Sequence, residues 1–436
     1  MPSKQNTPRL FASWQSMLIG AQMLFVAFGA LVLMPILTGL DPSVALFTAG
    51  LGTLLFHLVT KQSVPVFLAS SFVFIAPIAY GIQTWGVSDT TGALMVAGLV
   101  YILLAAVVKL RGPGFLHIIM PPVVVGPVIM VIGLGLAPIA VNMAMGKTGD
   151  GAVQLVPYSE AMIISMIAMA TTMLVAIFAR GLFHLLPILT GVLVGYGVSL
   201  LMGMVDFSPV ATQAWFAVPE FVAPTFNWQA ILFMIPVAIA PAIEHVGDIL
   251  AIGNVTKKDY VKEPGLHRTL FGDGIASSAA ALFGGPPNTT YSEVTGAVML
   301  TKVFNPYVMI WAGIFAVTLA FIGKMGALLQ TIPVPVMGGI LILMFGSITA
   351  VGLSTLIRAK IDLANQRNLV IISTTLVFGI GGMVIGNGGF SLQGISLCGL
   401  VAIVLNLILP NNLHKDDDLH EEEEIIDEML HPQSER

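Results

Sequence analysis

Apolar side chains run through this chain in blocks of roughly twenty residues with hardly a charge inside them, the length that a membrane-spanning helix requires. Hydrophobic residues make up 56% of the 436 positions and charged residues only 9%, against roughly 25% charged in a soluble globular protein. Too little polar side chain is left to coat a particle in water. That excludes a soluble enzyme, a nucleic-acid binder and a disordered chain. Continuous blocks also argue against a membrane barrel, whose strands alternate apolar and polar over about 10 residues. The expectation is an all-α polytopic membrane protein.

Breaking the sequence at its polar, proline-rich and charged punctuation gives fourteen apolar segments. The first seven run over 14–37, 44–60, 66–82, 92–108, 117–143, 159–179 and 183–204. The second seven run over 229–252, 268–284, 288–305, 307–323, 333–353, 368–386 and 392–410. The first block is too long for the apolar region of a signal peptide and is expected to be the first span. With a cytoplasmic N-terminus, sixteen of the eighteen Lys and Arg residues fall on the cytoplasmic side, and only Lys147 and Lys324 fall outside. This is the positive-inside pattern, and it places both termini in the cytoplasm.

The net charge of −5 is uneven along the chain. Ten of the 23 acids lie between Asp416 and Glu435, which leaves a membrane body with a small basic excess. The tail, 411–436, reads as a solvated cytoplasmic extension. The single cysteine, Cys398, rules out an internal disulfide framework or a thiolate cluster and is expected to be a packing residue. No phosphate-cradling G-x-x-x-x-G-K-[ST] run, zinc motif or nucleophile elbow is present, so no cofactor and no metal are expected.

An odd-numbered repeat duplicated in tandem must be inverted in the membrane, since its second copy starts on the opposite side. Carriers built this way place substrate near the midplane, at discontinuous helices in matching positions of the two halves. The third segment of each half fits. Val64–Ile78 reads VPVFLASSFVFIAPI and Gly284–Leu300 reads GGPPNTTYSEVTGAVML. Each holds a short polar, β-prone run flanked by proline or glycine. Irregular backbone at membrane depth is tolerated where it is buried in protein or lines a cavity.

Acids inside apolar segments are expensive and mark pathways or sites. Glu244 and Asp248 lie one turn apart on one helix face in PAIEHVGDILAIG. Glu293 follows the broken run of the tenth segment. Two carboxylates four residues apart repel if both are ionised, so one is expected to hold a proton part of the time. Asp273, in RTLFGDGIASS, is a further candidate, with a helix-start cap or an Arg268 partner as the competing role. His245 is turned about 100° from Glu244 around the helix and is expected to pack or hydrogen-bond.

EHVGD around Glu244, NVTKKDYVKEPGLHRTLFGDG, PNTTYSEVTGAVMLTK, ASSFVFIAP and IPVPVMGG together resemble the nucleobase–ascorbate transporter (nucleobase:cation symporter-2) family, bacterial uracil permeases above all. The resemblance implies fourteen spans in two inverted repeats. It implies a core domain from 14–112 and 226–325, a gate domain from 113–225 and 326–410, and a cytoplasmic segment 1–13. Residue by residue, it assigns Glu244 and Glu293 as carboxylates bonding uracil, Phe72 and Ser292 as backbone contacts, and Tyr291 as their neighbour. Glu244, Asp248 and Asp273 become the proton-coupling acids. The implied partners are uracil, protons, the bilayer of the inner membrane and a second copy through the gate domain.

Three positions depart from the pattern. Val294 stands where the family signature has Asn. Asp248 stands where uracil permeases carry His, and Asp273 looks like the purine-transporting branch. Xanthine or urate therefore remains an alternative substrate. An anion channel or exchanger on the same fold, and an intramembrane enzyme using Glu244 and Asp248, are the readings from other classes.

Overall fold

A computed structural model describes residues 14–112, 114–180, 186–387 and 390–410. The expected cytoplasmic segments 1–13 and 411–436 lie outside the described residues. The chain is predominantly helical. Its elements are α1 (Trp14–Thr38), α2 (Pro42–Val59), β1 (Leu68–Ser70), α3 (Ile75–Trp85), α4 (Val87–Arg111), α5 (Gly114–Ile119), α6 (Pro122–Ala144), α7 (Tyr158–Phe178), α8 (Pro187–Leu201) and α9 (Ser208–Thr212). There follow α10 (Trp228–Val237), α11 (Ile239–Thr256), α12 (Leu266–Leu282), β2 (Asn288–Thr290), α13 (Ser292–Thr301), α14 (Pro306–Ala320), α15 (Gly323–Gln330), α16 (Val334–Arg358), α17 (Gln366–Ile380), β3 (Val384–Asn387), β4 (Phe390–Gln393) and α18 (Gly394–Ile408).

Among the described residues, 7 helices are long and apolar enough to cross a membrane: α1, α2, α4, α6, α7, the continuous run Trp228–Thr256 and α16. The protein is an integral membrane protein. Several helix starts are built to satisfy their first N–H groups, which have no partner within the helix. Asp41 accepts from Ser43 and Val44 at the start of α2, Asn227 from Gln229 and Ala230 at α10, and Asn365 from Arg367 and Asn368 at α17. Pro42 and Pro306 follow caps, where a missing N–H costs nothing.

Two groups of helices pack most closely. In one, α14 lies on α1 and α2, and α12 on α2 and α4, with α10 on α4. In the other, α6 and α16 pack along each other, α7 and α8 join α16, and α17 and α18 join α6. The close crossings use small residues, as membrane helices require when no water is expelled. A Cβ on Gly98 would meet Ser278 and Gly274 of α12, and one on Gly50 would meet Gly313 of α14.

Three boundaries differ from the apolar segmentation. Pro121 breaks the fifth segment, so α5 stands apart from α6. A kink at Ala238 separates α10 from α11. The stretch between the last two helices is not helical: β3 and β4 pair antiparallel, Val384 opposite Gln393. Gly382 and Gly386, both with positive φ, turn the chain there.

Candidate functional site

Pro286 and Pro287 lack N–H donors, and Gly284 has φ +85, so the tenth segment cannot enter as a helix. It runs extended through β2 and becomes helical only after Tyr291. The third segment does the same: β1 is extended, Phe72–Phe74 forms a single 3₁₀ turn, and α3 follows. Each three-residue strand has exposed ladder groups, and the two satisfy each other. They pair antiparallel, Leu68 opposite Thr290, Ala69 opposite Thr289 and Ser70 opposite Asn288. The Ser71 N–H extends the ladder to the Pro287 carbonyl at 3.0 Å. Both strands are wholly buried. Antiparallel pairing sends the two strands out at opposite ends of one ladder about 7 Å long.

Surrounding helices hold this ladder by polar side chains. From α2, Thr53 accepts from the Leu68 N–H at 3.0 Å, and His57 Nε2 meets the Val66 carbonyl at 3.0 Å. From α12, the Ser277 hydroxyl donates to the Asn288 carbonyl at 2.6 Å, and Asn288 itself donates to the Thr48 carbonyl at 2.9 Å. Thr289 donates to Asp273 Oδ2 at 3.1 Å, and Thr290 Oγ1 lies 3.3 Å from His245 Nδ1. His245 Nδ1 is also 3.3 Å from Asp273 Oδ2, with both side chains fully buried. The geometry therefore gives Asp273 a place two turns inside α12, on Thr289 and His245, away from both the helix start and Arg268.

The other candidate residues gather around the same ladder. Phe72 and Tyr291, at the exits of β1 and β2, face each other with ring centroids 6.4 Å apart. Glu244 is half-buried and Asp248 buried on α11, which packs on both β2 and α13. Ser292 and Glu293 open α13; their side chains lie outside the described residues. Beyond Asp248 an open cleft of about 550 Å³ follows α11 to its end, lined by Leu250, Gly253, Asn254, Lys257 and Lys258 among others. Among the described residues no three acids, histidines or cysteines come together as a metal site would need.

Sequence reading missed the supporting residues. His57 and Tyr101 sit in apolar helices with no local partner to betray them, yet both are buried, and Tyr101 lies within electrostatic reach of Asp273 and Glu244. The available signal was a polar ring inside an otherwise aliphatic run.

Comparison with known proteins places this arrangement. Residues 14–388 match the model of the xanthine/uracil type described as the Permease family. The chain belongs to that family. The permease is 58% identical over 392 residues to the "Probable uracil permease" of Haemophilus influenzae, covering 90% of this chain and 94% of that one. It is 43% identical over 421 residues to the "Uracil permease" of Bacillus subtilis, covering 95% and 96%. Among solved structures, the transmembrane domain of the cyanobacterial bicarbonate transporter BicA matches with a TM-score of 0.65 at 16% identity, over 93% of this permease and 99% of that chain. SLC26A9 matches with a TM-score of 0.66 at 12% identity, over 90% and 64%. At such low identities these two share the fold with the permease.

Proposed function

We propose that the protein is a symporter that uses the proton gradient to import uracil across the inner membrane, both termini cytoplasmic, by alternating access. The observation that carries the reading is the 58% identity over nine-tenths of the chain to a probable uracil permease. The site chemistry supports it. Uracil is a small planar ring with two N–H donors and two carbonyl acceptors. The carboxylates of Glu244 and Glu293 supply acceptors, while the backbone at Phe72 and Ser292, where helices begin, supplies donors. Tyr291 closes the ring of contacts beside Phe72. Glu244, Asp248 and Asp273 are the acids of the coupling-proton path. No step calls for the bond-making chemistry of an enzyme.

Fourteen spans in two inverted repeats account for the packing. Number as spans α1, α2, β1 with α3, α4, α6, α7 and α8, then α10 with α11, α12, β2 with α13, α14, α16, α17 and α18. Exchanging each with the one seven places on turns the α1–α14 contact into α10–α4, and α2–α14 into α12–α4. It turns α7–α8 into α17–α18, and α16–α7 into α6–α17. The β1–β2 ladder maps onto itself, and a two-fold axis in the membrane demands the antiparallel sense it has. We read 14–112 with 226–325 as a core and 113–225 with 326–410 as a gate, through which a dimer would form.

The test is binding of labelled uracil to the purified protein in competition with thymine, xanthine and urate. Uracil should compete best, and Glu293→Ala should abolish binding while the protein stays monodisperse. Losing a charged acceptor from a desolvated site costs more than the 1–3 kcal/mol of a neutral pair, so a loss of at least about tenfold is expected. Stronger competition by xanthine would move the reading to the purine branch.

A further inference from the structure

The acids discussed above leave His245 without a role, although it touches Asp273 and the substrate-side strand together. Its Nδ1 lies 3.3 Å from both Asp273 Oδ2 and Thr290 Oγ1. An ionised carboxylate only accepts, so a ring nitrogen facing one must carry the hydrogen. Thr289 donates to the same oxygen, and two donors on one oxygen fit the ionised form. The neutral ring then has its hydrogen on Nδ1 and a lone pair on Nε2. That Nε2 makes no hydrogen bond among the described residues, and neither does Asp273 Oδ1.

In this state the fully buried pair carries one net negative charge, which is costly away from water. A proton on Nε2 makes an imidazolium beside a carboxylate and removes the net charge. Both partners hold β2, through Thr289 and Thr290, and β2 leads directly to Tyr291 and Glu293. Glu244 is the residue before His245. We propose that His245, with Asp273 as its fixed counter-charge, is the group that holds the coupling proton, at Nε2. This rests on the reading of the protein as a proton-driven uracil carrier. The other titratable groups on the elements packed around the pair are His57 of α2, Asp89, Tyr101, Lys109 and Arg111 of α4, Glu244 and Asp248 of α11, His267 and Arg268 of α12, and Glu293 of α13; Asp89 lies in the first turn of α4. The two basic side chains of α4 and those of α12 lie toward the helix ends. Asp273 is a positioning residue in this scheme, acting through the imidazole.

The experiment compares wild type, His245→Gln and Asp273→Asn in vesicles, reading both uracil exchange and uracil accumulation under an imposed proton gradient. Exchange needs no net proton movement, so His245→Gln should retain it, while Asp273→Asn, at an acid of the proton path, reports on coupling alone. With a gradient of about one pH unit, losing one coupled proton lowers accumulation about tenfold, and the pH dependence of uptake should flatten. Wild-type accumulation and pH profile in His245→Gln overturn the proposal. So does loss of exchange in His245→Gln while it remains folded, which would make the imidazole a clamp on β2. A substrate-free readout separates this from the uracil reading. In protein labelled with ¹⁵N-histidine, one Nε2 signal should gain a proton as pH falls and be missing from His245→Gln. Its absence from wild type overturns the proposal whether or not uracil moves. Its presence without any uracil exchange supports the proton-holding role and refutes the uracil reading alone.

Discussion

Asp89 is the residue on which the polypeptide between α8 and α10 is moored. It accepts from the Thr225 hydroxyl and, at 3.2 Å, from the Asn227 side chain, while the Thr225 N–H donates to the Ser88 carbonyl at 3.0 Å. Asn227 in turn caps α10. Asp89→Ala should therefore lower stability by about 1 kcal/mol, since it removes the acceptor of two hydrogen bonds, one of them part-buried. Thermal unfolding in detergent measures this, and an unchanged midpoint would show the mooring to be idle. The link joins residues 136 apart in sequence, so nothing local announces it. Glu244, Asp248 and Asp273 were legible for the opposite reason, because a carboxylate inside an apolar run signals itself. Glu293 was read on the same ground. What the sequence could not disclose was who meets whom: the contact between His245 and Asp273 joins two helices whose relative placement no spacing rule gives.

At the scale of elements, the two broken segments were legible because Pro286, Pro287 and the β-prone run after Pro65 cannot continue a helix. Their pairing with each other was not, since three-residue strands carry no register signal strong enough to name a partner. The β3–β4 pair was also hidden, because Val384 and Ile385 read as the end of an apolar helix until the glycines around them are given positive φ. The helix crossings follow a rule that sequence states only weakly, that glycine marks close approach. A side chain on Gly98 would collide with the backbone of α12, whereas one on Gly135 of α6 meets nothing within 4 Å. Gly98→Leu should cost about 1–3 kcal/mol by forcing α4 away from α12, and Gly135→Leu should cost almost nothing. Equal thermal midpoints for the two variants would remove the close crossing from the account.

Across the whole molecule, the stretch after α9 is laced to many helix ends. The Ala217 N–H bonds the Phe321 carbonyl, and the Glu220 N–H reaches Asp41 at the start of α2. The Phe221 ring packs edge-on to Phe47 and Phe283, and Val222 bonds the Phe283 carbonyl. These attachments, with that of Thr225 to Ser88, tie together the starts of α2 and α4 and the ends of α12 and α14. The proposed function gives such a carrier a substrate, uracil, and an energy source, the proton gradient. The direct measurement is uptake of labelled uracil by proteoliposomes holding the purified protein, with the proton gradient imposed and sodium left out. A proton-driven uracil carrier should show saturable uptake above the external concentration, abolished by a protonophore and by Glu293→Ala, and displaced by unlabelled uracil more effectively than by xanthine. Uptake that never exceeds the external concentration, or that is indifferent to the proton gradient, would contradict it.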